Sequence, residues 1–210
     1  MSVALVFDVE TTGIPKARNA SFRDLDVYNS ARIVSIAWRL IDVSNDCEEL
    51  HNRYYLVRPD GFDIPEDAIK IHGITQEQAM SDGVMFRQVV DELKQDLERC
   101  NVLVAHNISF DINVLRSEFV RLKCQALIDV TFEKQLFCTM KEARARGVVT
   151  KFTKLTVLHA LLFPGGEPCA NAHNAHYDVM YCCDIYKVLH SMPRKENQVP
   201  SPPMSNTPSP

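Results

Sequence analysis

Val3-Ala4-Leu5-Val6-Phe7-Asp8-Val9-Glu10-Thr11-Thr12-Gly13 opens the chain with five apolar residues that run into two carboxylates. A short, continuous apolar run suits a buried central strand, and a carboxylate at its end suits a strand whose tip opens into a site. Asp8 and Glu10 stand two positions apart, so a strand places both side chains on one face. Two like charges so close repel unless a cation neutralises them. A hard divalent cation such as Mg²⁺ prefers oxygen ligands and commonly takes a few carboxylates together with water and substrate phosphate. Considered alone, the pair reads better as a solvated strand end.

Working outward, residues 33–43 and 50–57 are rich in β-branched and aromatic side chains and flank the polar turn Ser44-Asn45-Asp46, the pattern of a hairpin. Phe86, Val89, Val90, Leu93 and Leu97 then recur at helical spacing, and the short apolar run 102–105 reads as a fourth strand. Ile112, Leu115, Phe119 and Leu122 mark a second amphipathic helix, and Leu155, Leu158, Leu161 and Leu162 a third. Val179, Cys182, Cys183, Tyr186 and Leu189 form the stripe of a last helix, after the turn-prone Pro164-Gly165-Gly166. Strands first, then helices alternating with strands, indicate an α/β fold with a mixed sheet and helices packed on its faces.

The 210 residues, 46% hydrophobic and 24% charged, fit one domain with a sizeable core, expected over residues 1–191. After Leu189 the composition turns to Pro, Ser and Asn, so residues 192–210 are expected to be a disordered tail that serves as a linker or as a contact for a polymerase or other protein. The net charge of -4 gives no global attraction to a polyanion, which leaves a local basic surface or bound cations to do that work. Seven cysteines without a secretory leader read as reduced thiols, and no apolar run reaches the length of a membrane span. A soluble intracellular protein is expected, with cytoplasm and nucleus not distinguished.

Two further clusters carry chemistry. In His106-Asn107-Ile108-Ser109-Phe110-Asp111 the aspartate directly precedes the helical stripe, where it suits both a metal role and the N-terminal end of a helix. Asn107 offers donor and acceptor groups, and Phe110 offers an apolar face for a base or sugar, or a core contact. In His173-Asn174-Ala175-His176-Tyr177-Asp178, five positions on one helix would set His173 and Asp178 about 140° apart. They converge only if His173 lies in the loop before the helix. An imidazole so placed can take a proton from water near neutral pH. Cys169, His173, His176 and Cys182 or Cys183 form a competing set of zinc ligands, although the cysteines at 182 and 183 fall on the inward stripe. Lys141, Arg144, Arg146, Lys151 and Lys154 make the densest basic stretch, which suits either a phosphate track or a solvated helix face.

At these residues the chain resembles the DnaQ-like exonucleases of the ribonuclease H-like superfamily, in the DEDDh subgroup. The motif D-x-E-T-T-G is matched by Asp8 to Gly13, H-N-x-x-F-D by His106 to Asp111, and H-x-A-x-x-D by His173 to Asp178. Ile71-His72-Gly73-Ile74-Thr75 and the helix beginning Lys154-Leu155 are similar to family segments, so the likeness covers roughly residues 3–190. The polar stretch 14–31 has no evident counterpart in the compact members.

The resemblance implies a five-stranded mixed sheet flanked by helices, and 3′-to-5′ hydrolysis that releases nucleoside 5′-monophosphates. It assigns Asp8, Glu10, Asp111 and Asp178 to two Mg²⁺ ions, with Mn²⁺ as an alternative, and His173 to the general base. It seats the terminal nucleotide on backbone groups around Thr11 and Thr12, with Asn107 and Phe110 beside it. Single-stranded or frayed DNA ends are the expected substrate. An RNA 3′-5′ exonuclease with the same site is the alternative, and an inactive nucleic-acid-binding scaffold module stands behind both.

Overall fold

The computed structural model describes residues 2–17, 19–165 and 173–195, and in it the opening apolar run is strand β1 (Val3–Thr11). Helix α1 (Leu25–Tyr28), strands β2 (Ile33–Asp42) and β3 (Glu48–Leu56), and helices α2 (Glu66–His72), α3 (Gln76–Asp82) and α4 (Phe86–Arg99) follow. Then come β4 (Val102–Ala105), α5 (Ile108–Arg121), α6 (Gln125–Glu133), β5 (Gln135–Cys138), α7 (Thr139–Ala145), α8 (Leu155–Leu162) and α9 (Ala175–Ser191). The five strands form one sheet in the order β3-β2-β1-β4-β5. β1, β2 and β3 pair antiparallel, whereas β1 with β4 and β4 with β5 pair parallel. This is the expected five-stranded mixed sheet.

The period of two in β1 turns its side chains into two cores, one on each face of the sheet. Val3, Leu5, Phe7 and Val9 pack with Val89, Leu93 and Leu97 of α4 and with Ile112, Leu115 and Phe119 of α5. Ala4 and Val6 point the other way and pack with Leu158 of α8 and with Val179, Cys182, Cys183 and Leu189 of α9. Asp8 and Glu10 continue the even-numbered series, so the pleat turns them to the α9 face. β4 pairs with β1 only from Ala4 to Val6, after which it passes into α5. The far end of β1 is thereby left open on that side, at the carboxyl ends of two parallel strands, where α/β sheets form crevices.

Several local features depart from the expected pattern. β5 and the short helices α1, α2, α3, α6 and α7 carry no clear periodicity, since elements of four to nine residues show one or two turns at most. Of the expected α8 stripe only Leu158 is buried; Leu155 and Leu162 are partly covered, and Leu161 is 57% exposed. α9 ends at Ser191, yet Arg146 Nε donates to the Met192 carbonyl at 3.0 Å and Lys195 N–H to the Ala145 carbonyl at 3.0 Å. Arg194 also pairs with Glu142, so the four residues beyond the expected boundary still lie on the domain. Residues 196–210, where most of the expected disordered tail falls, lie outside the described residues. Among the described residues no helix is long and apolar enough to cross a membrane, and six cysteines are free thiols.

One buried polar link ties the sheet to α4. The indole N–H of Trp38, on β2, donates to Asp96 Oδ2 at 2.9 Å, and His51 Nδ1 meets Asp96 Oδ1 at 2.9 Å. Trp38 and Asp96 are both buried, so loss of the acceptor strands an indole N–H without water. Asp96→Leu is expected to lower the unfolding free energy by about 1–3 kcal/mol in a urea titration. In a Trp38→Phe background the same change should cost less, because no orphaned donor remains; strict additivity of the two changes would place the cost elsewhere.

Candidate active site

Four carboxylates and one imidazole reach the open end of β1 from three elements. Asp8 and Glu10 come from the strand, Asp111 from the first turn of α5 and Asp178 from the first turn of α9. Asn107 provides the sharp entry into α5: it adopts a left-handed conformation at φ 69°, which asparagine tolerates better than most residues, and its side chain makes no cap to the helix. His173 takes the same type of conformation, φ 64°, just before Asn174 caps α9. It therefore lies in the loop, as convergence with Asp178 requires. Its backbone N–H donates to Asp178 Oδ2 at 3.1 Å, so the loop and the helix turn are tied at the carboxylate itself.

Glu10, His173 and Asp178 offer ligand atoms that all lie within 4.8 Å of one another. Asp8, His173 and Asp178 share a cavity of about 260 Å³ with His106, Lys154, Leu155 and Thr156. Burial and mutual repulsion push every carboxyl of the cluster upward. Glu10 is raised to about 8, first by burial and then by the charges of Asp178 and Asp111. Asp111 is raised to about 7 by burial, against the pull of the backbone N–H groups of Asp111 and Val9. Asp178 is raised to about 6 by burial, opposed by its hydrogen bond from His173. Asp8 is raised well above the ordinary carboxylate range by burial and then by Asp111, Glu10 and Asp178.

The donor set fits a divalent cation. Asp178 Oδ1 is buried and lacks any hydrogen-bond partner, although its sister oxygen is bonded, and an orphaned carboxylate oxygen beside other carboxylates is what a cation would satisfy. The competing zinc reading does not survive the packing. Cys182 and Cys183 are buried among apolar side chains between α9 and the sheet, and among the described residues the group of converging ligand atoms is Glu10, His173 and Asp178, without a cysteine. Cys169 lies outside the described residues. His176 instead packs edge-on against Tyr54 and Tyr177.

Asn107 and Phe110 line a groove of about 580 Å³. Thr11 and Thr12 are buried, and Thr12 spends its N–H on the Arg32 carbonyl and its hydroxyl on the Arg32 N–H, both at 2.9 Å. Thr11 donates its hydroxyl to the Gly13 carbonyl at 2.6 Å, so both side chains shape the strand end. Arg32 is in turn held by Glu118 at 2.7 Å. In the basic stretch, Arg146 is withdrawn from any phosphate track by Glu142 and the Met192 carbonyl, whereas Lys141, Arg144, Lys151 and Lys154 remain exposed.

Two histidines matter more than their types alone suggest. His106 Nε2 donates to the Thr153 carbonyl at 2.9 Å while Nδ1 meets the Thr139 hydroxyl at 2.9 Å. Burial lowers its pKa, which favours the neutral ring that these partners need. His72, at the end of α2, accepts from Ile74 N–H through Nδ1 at 3.0 Å and buries Nε2 near Thr11 and His173. The quoted segments contain both residues, but only long-range contacts reveal what each one holds.

A model of the exonuclease family, RNase T type, matches residues 5–186. The DNA polymerase III epsilon subunit of Salmonella typhimurium is 34% identical over 175 residues, 83% of this chain and 60% of that protein. That of Rickettsia felis is 30% identical over 119 residues, 57% of this chain and 45% of that protein. The chain spans about half the length of the relatives it matches. Among solved structures, Escherichia coli exonuclease I in complex with a dT13 oligonucleotide superposes with a TM-score of 0.68 at 18% identity, over 91% of this chain and 42% of that one. Its zinc-bound complex with single-stranded DNA superposes with a TM-score of 0.63 at 19% identity, over 89% and 40%. These likenesses establish the shared fold.

The raised carboxyls hold their protons to higher pH in the folded chain than in the unfolded one, where they titrate near 4. Without a cation, the stability they favour is complete below about pH 4 and is lost as pH rises through about 6, 7 and 8. With chelator present, the melting temperature should therefore fall between pH 6 and pH 8, and Mg²⁺ should restore more of it at pH 8 than at pH 6. Glu10→Gln should flatten the fall and shrink the Mg²⁺ effect. A level profile that Mg²⁺ does not alter would argue against a cation site here.

Proposed function

Because the chain belongs to the exonuclease family, we propose that it is a metal-dependent 3′-to-5′ exonuclease that releases nucleoside 5′-monophosphates from single-stranded or frayed DNA ends. The observation that carries the reading is the convergence of Asp8, Glu10, Asp111, Asp178 and His173 at the open end of β1. DNA is favoured because the relatives are named as DNA polymerase III subunits and the similar exonuclease I structures contain DNA oligonucleotides.

Asp8, Glu10, Asp111 and Asp178 would hold two divalent cations, Mg²⁺ or Mn²⁺. Such a pair supplies charge stabilisation for the attacking and leaving oxygens of a phosphodiester hydrolysis. The chain's own contribution is to position and to move a proton. His173, held in its loop by its N–H bond to Asp178, would accept the proton of the attacking water while the P–O3′ bond breaks and the leaving 3′ oxygen takes a proton from solvent water. Lys154, on the wall of the same cavity, faces the place where phosphate charge would sit. Asn107 and Phe110 would seat the terminal nucleotide beside the site.

Asp8→Ala should abolish hydrolysis of labelled DNA in Mg²⁺ by removing a cation ligand. His173→Ala should lower kcat by about 10²- to 10⁴-fold while oligonucleotide binding is kept. Strands labelled at the 3′ or the 5′ end, in DNA and in RNA, report polarity and sugar preference together. Near-normal turnover by His173→Ala removes it as the base; shortening from the 5′ end refutes the polarity, and faster RNA shortening moves the substrate to RNA.

A further inference from the structure

The groove beside the site contains features that the catalytic reading leaves unused. Beyond Asn107 and Phe110 its walls include Ile14, Met140, Lys141 and Phe152, and no carboxylate among the described residues lines it. Large apolar side chains normally turn inward, yet Ile14 is 76% exposed and Phe152 is 55% exposed at its margin. The Arg144 guanidinium lies over the Phe152 ring at 5.4 Å, which holds the ring from one side by a cation–π contact. Lys141 lines the groove with the ring, and Lys141, Arg144 and Lys151, the chain neighbour of Phe152, are all exposed. An exposed aromatic plane among cations, in a groove free of carboxylates, is the arrangement that binds single-stranded nucleic acid through stacking and phosphate attraction.

The groove is built into the same framework as the catalytic cavity. His106 lies on the wall of that cavity, and its bond to the Thr153 carbonyl anchors the connection between α7 and α8. On one side of Thr153 that connection sends Phe152 into the groove, and on the other it sends Lys154 into the cavity. Asn107, the next residue after His106, lines the groove. A larger cavity of about 650 Å³ lies elsewhere, beside Arg32, Arg58, Arg87 and Arg121, but Asp60, Asp91 and Glu118 line it as well and offset most of their charge.

We propose that the end of the groove beyond Asn107 and Phe110, at Phe152 and Lys141, holds the nucleotide preceding the one being released, with its base stacked on Phe152 and its phosphate faced by Lys141. The assignment rests on the exonuclease reading, and its test separates the two. The 4-nitrophenyl ester of thymidine 5′-monophosphate has no preceding nucleotide, whereas a 5′-fluorescein-labelled dT hexanucleotide has several. In Mg²⁺, Phe152→Ala should lower the ratio of kcat/KM for hexanucleotide over ester by roughly tenfold, chiefly through KM, the size expected for one lost stacking contact. Phe152→Tyr should keep the ratio near that of the unaltered protein. Lys141→Gln should reduce the slope of log KM against log salt for the hexanucleotide by about 0.7. Equal losses on both substrates would mean that Phe152 only supports the loop, and would overturn the proposal. Should the unaltered protein hydrolyse neither substrate, the exonuclease reading falls by itself. The groove is then judged by fluorescence anisotropy of the hexanucleotide in Ca²⁺: binding about tenfold weaker for Phe152→Ala upholds it, and unchanged or absent binding overturns it.

Discussion

Four carboxyl groups drawn into one partly enclosed cleft repel one another, and most of the architecture can be understood as the means of holding them there. Glu10, Asp111 and Asp178 are buried side chains from different elements, and burial is the largest cause of the upward shift in each. Left to itself such a cluster would swell or take up protons. The fold resists by attaching each member to something rigid. Two carboxylates ride on a strand flanked by neighbours, and two sit in helix first turns, where the N-terminal dipole favours negative charge. Two left-handed residues, Asn107 and His173, bring the helix starts to the cleft. The strain is local, and the cores on the two faces of the sheet oppose it.

The histidines of the motifs divide their labour by position. His173 faces the cluster, while His106 is turned into the framework, bridging the end of β4 to Thr139 and Thr153. A neutral imidazole offers one donor and one acceptor on opposite sides of a small rigid ring, which suits a bridge between a hydroxyl and a carbonyl. That bridge sets the course of the connection on which Phe152 and Lys154 ride. The catalytic cavity and the groove are consequently neighbours by construction.

The sequence made the central strand, the hairpin, α4, α5 and α9 legible because each has enough residues to display a period and a buried face that enforces it. The shared face of Asp8 and Glu10 and the loop position of His173 followed from the same counting. β5 was not legible: Gln135-Leu136-Phe137-Cys138 is four residues long, with two of them exposed at the sheet edge. α2 and α3 were signalled only by Gly73, left-handed at φ 76°, and by Thr75, whose hydroxyl caps the next helix. The α8 stripe misled because an apolar side chain does not reveal whether a neighbour will cover it, and Leu161 stays in solvent. Arg146 reads like its basic neighbours because its partner Glu142 lies one turn away, and the pair is visible only once α7 is known to be helical. Long-range partners such as Thr153 for His106 leave no local pattern.

The parity of β1 has a further consequence for how such a chain can change its length. Removing or adding one residue between Ala4 and Asp8 would rotate the carboxylate pair to the face covered by α4 and α5, burying both against leucine and phenylalanine while exposing Phe7 or Val9 to the cleft. No compensating shift in a neighbour could repair it, because β1 is paired with β2 along its full length. Past Gly13 the constraint lapses, since the chain leaves the sheet until Ile33. A change of length in the exposed part of that stretch leaves the register of β1, and with it the carboxylates, as they are. The length of one is in effect clamped to the residue, and the length of the other is open to drift.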